Sequence, residues 1–212
     1  RRRKDVEKRL ALAEEKERIA RDIHDDVGAR LTQLALLGEL TESGSRHFRQ
    51  FDRPGHKLAD LARDLSSSLD GAVWAIQPGK DSLDDMASYF GDYAQNFLLG
   101  TRIDLKLEFP DLIPARPLSG VIRHNLFLAF KEALNNVVKH ASATRVRIGL
   151  ALEPAAFALS IGDNGCGFSN RSAESSGNGL GNMRQRVEGI GGQFEMTSAP
   201  GNGTNIIIKV PV

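Results

Sequence analysis

Three consecutive segments decide the fold: Val146-Arg147-Ile148-Gly149-Leu150-Ala151-Leu152, then Phe157-Ala158-Leu159-Ser160-Ile161, then Asp163-Asn164-Gly165-Cys166-Gly167-Phe168. The first two alternate apolar with small or polar side chains, the period of two that turns one face of a strand toward a core. The third hangs a glycine-rich turn directly on the second strand, and its two Gly residues let a backbone approach a flat group closely. A plain turn is the simpler use of Asp-Asn-Gly, and both readings stay open at this level.

Working outward, Ile122, Leu126, Phe130, Leu134 and Val137 recur at helical spacing and predict a helix from about Ser119 to Ala141. Before it, Ile103, Leu105, Leu107 and Phe109 alternate as a strand that stops at Pro110. Ser82 with Asp85 reads as a capping box opening a helix that carries Leu83, Met86, Phe90, Tyr93 and Phe97 on one face and closes at Gly100. After the glycine-rich stretch come a short helix near Asn182 to Ile190 and two strands, Gln193 to Thr197 and Asn205 to Val210. Helices mixed with adjacent strands predict an α+β protein whose residues 80–212 form an α/β sandwich, a mixed sheet with helices on one face.

Residues 1–79 have a different texture. From Asp5 to Leu40 there is no Pro, the Gly residues are Gly28 and Gly38, and Ile19, Ile23, Val27, Leu31 and Leu34 form one apolar stripe. Turn residues break the pattern between Thr41 and Gly55, and Leu58, Leu61, Leu65, Leu69, Val73 and Ile76 then resume it up to Pro78-Gly79. A helical hairpin alone offers too little surface for two such stripes, so dimerisation into a four-helix bundle is expected.

Lys plus Arg (28) nearly balances Asp plus Glu (27) in 212 residues, which gives no electrostatic footprint for nucleic acid. A single Cys, Cys166, excludes an internal disulfide and suits a reducing compartment. No apolar run approaches the ~18 residues needed to cross a bilayer. The chain opens on Arg1-Arg2-Arg3-Lys4 without Met, and basic residues of this kind follow membrane spans on the cytoplasmic side. An upstream membrane segment is expected on that ground, with residues 1–212 cytoplasmic, while a solvated helix end is at least as simple a reading of the basic cluster.

Four clusters carry chemistry. Glu132, Asn136 and His140 step by four along one helix face; a carboxylate and an amide oxygen so placed suit Mg²⁺, and Lys139 or His140 can meet phosphate. Asp163, at a strand end, can accept from an exocyclic amine. Gly177-Asn178-Gly179-Leu180-Gly181-Asn182 leads into a helix, so amides and a helix N-terminus can hold phosphate. Gly201-Asn202-Gly203-Thr204 is a tight turn before the last strand. On the long first helix, His24 sits at the edge of the apolar stripe and is followed by Asp25. A carboxylate beside an imidazole can fix its tautomer and raise the nucleophilicity of the other nitrogen. Each cluster also has a plain reading as a polar helix face or turn; their order is the informative part.

In that order they resemble the N, G1, G2 and terminal Gly-Thr motifs of the Bergerat-type ATPase fold, shared by gyrase, a heat-shock chaperone, mismatch-repair ATPases and histidine kinases. The run from Glu17 through His24-Asp25 to Thr32 is similar to the phosphoacceptor helix of the histidine kinase subfamily that includes nitrate and fluidity sensors, as is Val73-Trp74-Ala75-Ile76 with Pro78. The resemblance implies ATP and Mg²⁺, with His24 as phosphoacceptor, Asp25 as its base or orienting partner, and Asn136 and Glu132 at the metal. It places Lys139 and His140 near the phosphates, Asp163 on the adenine amine, and Gly165 and Gly167 along the base pocket. It assigns Gly179, Leu180 and Gly181 to the nucleotide lid, and Thr204 to the neighbourhood of the adenine. It also implies a homodimer and a response regulator receiver domain as partner in two-component signal transduction. One position departs from many relatives: Ala29 stands where a Gln, Asn or Thr orients the water that dephosphorylates the regulator. Rival readings are an ATPase clamp of the same fold without histidine phosphorylation and a signalling module without catalysis; the His24-Asp25 pair favours the kinase.

Overall fold

The computed structural model describes residues 17, 20, 21, 28, 31, 32, 35, 69, 71, 73–75, 77, 79–169 and 179–212. The chain divides into two units, Arg1–Gln77 and Pro78–Val212.

In the first unit Glu17, Arg21, Leu31, Thr32, Leu69, Val73, Trp74 and Ala75 are helical. Thr32 donates its hydroxyl to the Gly28 carbonyl at 2.8 Å, one helical turn back. Trp74 and Ala75 are buried, whereas three residues of the predicted stripes face outward, Leu31 at 51%, Leu69 at 40% and Val73 at 63% exposure.

The second unit begins with α1 (Leu83–Leu98). Ser82 caps it, accepting from the Asp85 N–H at 3.4 Å, while its own hydroxyl donates to the Asp85 carboxylate at 2.5 Å. That reciprocal pair was legible in the sequence. The Ser82 hydroxyl holds the Asp85 carboxyl below its ordinary value of 3.8; burial opposes it, and the Lys80 ammonium at 3.4 Å adds to the lowering. A carboxyl depressed by folding stabilises the fold above its unfolded pKa and loses that contribution as pH falls through the folded value. Ser82→Ala is therefore expected to cost about 1 kcal/mol at neutral pH, a gap that narrows below pH 3.8. Denaturant titrations of both proteins at neutral and acid pH check this.

The sheet holds β1 (Asp104–Glu108), β2 (Arg145–Glu153), β3 (Ala156–Asp163), β4 (Gln193–Ser198) and β5 (Thr204–Pro211), in the order β1-β2-β3-β5-β4. β1 runs parallel to β2 and the other pairs are antiparallel, so the sheet is mixed. Register aligns Leu107, Ile148, Ile161, Ile206 and Met196 in one row across it. Leu150, Leu159, Ile208 and Phe194 form the next row on the same face. The opposite face carries Lys106 paired with Glu108 at 2.7 Å and Lys209 paired with Glu153 at 2.7 Å, all well exposed.

The apolar face is covered by α1, by α2 (Gly120–Asn136) and by α3 (Gly179–Gly189). Ser119 caps α2 by accepting from the Ile122 N–H at 3.2 Å, and Leu126, Phe127, Phe130 and Leu134 are fully buried beneath it. Phe90 of α1 stacks on Phe130 with centroids 4.5 Å apart, and Tyr93 meets Phe127 edge-on at 5.0 Å. Burying a side chain of this size contributes roughly 1.5–3 kcal/mol, so the helix pair and the sheet are held mainly by this layer.

The predicted helix to Ala141 differs in its last turn. Val137–Ala141 is a π-helical turn that ends at Ser142 in the left-handed region, with φ 51°. Such wide turns occur mostly singly and often at functional sites, and this one stands beside a cavity.

Candidate functional site

The cavity encloses about 370 Å³, within the size range of small-molecule sites. The end of α2 and the π-helical turn supply one wall through Glu132, Ala133, Asn136, Val137, His140 and Ala141. The ends of β3 and β5 supply Ile161, Asp163, Thr204 and Ile206, the glycine-rich turn supplies Cys166, Gly167 and Phe168, and the start of α3 supplies Gly179 and Leu180. An apolar floor with a few convergent polar groups around it suits a flat, partly polar ligand.

Close backbone approaches build this arrangement. The Gly165 N–H donates to the Asp163 carboxylate at 2.8 Å, which folds the turn back on the strand end. The Cys166 N–H donates to the Ala141 carbonyl at 2.7 Å, tying that turn to the π-helical turn, and the Gly201 N–H donates to the Cys166 carbonyl at 2.6 Å, tying it to the 199–203 turn. A Cβ at Gly165 would run into the Ala141 carbonyl. Gly167 has φ 57°, and a Cβ there would strike the Ala199 carbonyl and lie 2.8 Å from the Gly203 carbonyl. Asn164 secures the outer side, its amide oxygen accepting from the Thr144 and Arg145 N–H groups at 3.0 and 2.8 Å. Ser198 bridges the two turns: its hydroxyl oxygen accepts from the Phe168 N–H at 3.0 Å and lies 3.0 Å from both the Gly203 carbonyl and the Thr204 hydroxyl.

Eight of the residues singled out in the sequence line the cavity together: Glu132, Asn136, His140, Asp163, Gly167, Gly179, Leu180 and Thr204. The Gly179 backbone and the Glu132 carboxylate are in direct contact, since a Cβ on the glycine would collide with that carboxylate. Gly165 stands behind the wall, buried against Ala141, and Lys139 and Gly181 are exposed outside the lining. His24, Asp25, Ala29, Gly177 and Asn178 lie outside the described residues. Sequence reasoning missed the apolar lining and Ser198. Ile161 and Ile206 read simply as inward positions of strands, and Ala133 and Val137 flank Glu132 and Asn136 on a helix face already assigned to the core. Cys166 also lines the cavity, with its thiol 3.4 Å from the His140 carbonyl.

Residues 122–212, which include every residue lining the cavity, match the family described as histidine kinase-, DNA gyrase B-, and HSP90-like ATPase, and residues 15–81 match a second family described as histidine kinase. A helical segment of the one joined to an ATPase domain of the other defines the class: the chain belongs to the histidine kinases, and the ATPase match implies ATP as the ligand. More particularly it is similar to sensor histidine kinases, being 27% identical over 213 residues to sensor histidine kinase LiaS of Bacillus subtilis, covering 97% of this chain and 56% of that protein. It is 29% identical over 205 residues to the signal transduction histidine-protein kinase/phosphatase DegS of Brevibacillus brevis, covering 95% and 52%. The chain thus spans about half the length of the curated relatives it matches. Among solved structures, the histidine kinase domain of the Erythrobacter litoralis EL346 blue-light activated histidine kinase shares the fold, with TM-score 0.58, 17% identity, and 95% and 94% of the two chains covered. The Acinetobacter baumannii histidine kinase AdeS does so with TM-score 0.54, 14% identity, and 89% and 97% covered. Among the described residues no helix is long and apolar enough to cross a membrane.

Proposed function

We propose that this chain binds Mg·ATP in the cavity of residues 80–212 and transfers the γ-phosphoryl group to His24 of residues 1–79. The observation that carries the reading is the convergence of Glu132, Asn136, Asp163, Gly167, Gly179 and Thr204, distant in sequence, on one cavity. Asp163 is suited to accept from the adenine amine, and Gly167 and Thr204 border the same space. Glu132 and Asn136 place a carboxylate and an amide oxygen on one wall, the donor set that Mg²⁺ favours; the ion would neutralise charge on the phosphates. His140 shares the cavity and suits phosphate contact, Lys139 lies one residue away, and Leu180 and Gly181 continue the lid that Gly179 begins.

Phosphoryl transfer requires in-line geometry and charge neutralisation more than covalent chemistry from the protein. A nitrogen of the neutral His24 imidazole forms the new N–P bond as the bond from the γ-phosphorus to the bridging oxygen breaks and ADP leaves. Asp25 holds the proton on the other ring nitrogen and takes up the positive charge that develops there. The N–P bond is labile, so the group passes on to an aspartate of a response regulator receiver domain. The outward-facing Leu31, Leu69 and Val73 support pairing of two chains in a four-helix bundle, since single-chain exposure of predicted stripe residues calls for a partner surface. The basic Arg1-Arg2-Arg3-Lys4 supports a cytoplasmic position.

Incubation with γ-labelled ATP and magnesium tests the reading. Acid-labile label on the protein supports it; phosphate release with no label on the protein identifies an ATPase clamp of the same fold instead. Ala29 has no polar atom to orient water, so regulator dephosphorylation should be slow in this chain. Ala29→Gln is expected to raise it by about tenfold or more, within the range of a positioned general acid–base or water-orienting group. The rate of loss of label from a phosphorylated receiver domain checks this, and a fast rate in the unmodified chain contradicts it.

A further inference from the structure

Ser198 is absent from the set of residues read from the sequence, yet its hydroxyl sits at the junction of three backbone segments of the cavity. A serine hydroxyl has one proton and two lone pairs. The Phe168 N–H, at 3.0 Å, occupies one lone pair. The proton has two neighbours, the Gly203 carbonyl at 3.0 Å and the Thr204 hydroxyl at 3.0 Å. A carbonyl can only accept, and leaving this one without a donor costs the desolvation of a buried polar group. Thr204 has a proton of its own. The arrangement that satisfies every group gives the Ser198 proton to Gly203 and the Thr204 proton to the second lone pair of Ser198. Thr204, which lines the cavity with Asp163, is then left with lone pairs alone to present to a ligand.

We infer that Ser198 is a positioning residue that fixes the Thr204 hydroxyl as an acceptor, so that Thr204 and the Asp163 carboxylate together make the cavity select a 6-amino purine over a 6-oxo purine. The inference rests on the nucleotide reading of the cavity. An amino group meets both acceptors with its N–H donors, whereas an oxo group sets lone pairs against lone pairs. Without the Ser198 oxygen the Thr204 proton is released and can turn into the cavity to serve an oxo group, which weakens the discrimination to what the Asp163 carboxylate alone supplies. Polar sites of this kind reject a mismatched ligand because their own groups are left unpaired.

ADP and inosine diphosphate differ at the purine 6-position, so their affinity ratio reads this effect apart from general damage to the site. Calorimetric titration of each, with magnesium, into the 212-residue chain is expected to favour ADP. Ser198→Ala should narrow that preference by about tenfold, the equivalent of one hydrogen bond, and Ser198→Thr should restore it. Thr204→Val should narrow the preference alike, and the double variant should be no narrower than Thr204→Val alone, because the two act through one hydroxyl. A native ratio in folded Ser198→Ala, failure of Ser198→Thr to restore it, or additive effects would each overturn the inference. Should Ser198→Ala fail to fold, Thr204→Val decides, a native ratio there overturning the inference. A native chain that binds neither nucleotide would overturn the nucleotide reading itself and this inference with it; one that binds ADP with an unchanged ratio in the variants overturns this inference alone.

Discussion

His24→Gln is expected to abolish acid-labile phosphorylation, to the limit of detection, while leaving nucleotide affinity unchanged. Gln keeps a polar, uncharged side chain at the position but supplies no imidazole nitrogen, and its amide nitrogen is too weakly nucleophilic to take its place. The residues lining the cavity run from Glu132 to Ile206, far along the chain from position 24. Binding and transfer should therefore separate cleanly: ADP titration reads the first, incorporation of label the second. Label persisting on His24→Gln would place the phosphoacceptor elsewhere, and loss of ADP binding would tie position 24 to the fold instead of the chemistry.

The second large effect is expected at Gly167. Its φ of 57° lies in the left-handed region, and a Cβ there would meet the carbonyls of Ala199 and Gly203, both backbone and neither able to swing aside as a side-chain end would. Gly167→Val combines the strain of a β-branched residue in that region, about 1–2 kcal/mol, with displacement of the turn that carries Gly203 and Thr204. A loss near 3 kcal/mol should lower the melting temperature by about 10 °C, and ADP binding should weaken by about a hundredfold or more, since sub-ångström errors propagate through a packed site. Gly189→Ala is the matched control: a Cβ there meets nothing within 4 Å, and its φ lies outside the left-handed region. Thermal unfolding and ADP titration of the two variants side by side check the contrast.

Most strands were legible because they keep a period of two, which the Ile206-Ile207-Ile208 run of β5 interrupts, and the row from Leu107 through Ile148, Ile161 and Ile206 shows what that period encodes, one shared apolar face. The order of the strands was not legible. Nothing local in Gln193–Ser198 says that β4 meets only β5, or that β1 joins β2 in parallel across the whole of α2. The polar half of the site was legible for a different reason: Glu132, Asn136, Asp163 and the glycines have side chains or backbone freedom that a buried core does not call for. Ile161 and Ile206 serve core and cavity at once, so periodicity assigns them to the first and conceals the second. Val137–Ala141 carries no sequence mark of a π-helical turn, because its widening is imposed by tertiary partners such as the Cys166 N–H on the Ala141 carbonyl. Ser198 escaped because its hydrogen bond to Phe168 spans 30 positions, beyond any local pattern.

The place of β5 in the sheet has a consequence for how the protein is made. Of the five strands of this sheet it leaves the ribosome last and yet lies between β3 and β4. Until residues 204–211 emerge, the earlier strand presents a bare edge and the later one has no neighbour to pair with, a state prone to join other nascent chains. Thr204 and Ile206 arrive with the same segment, so newborn polypeptides lack part of the cavity wall until synthesis passes them.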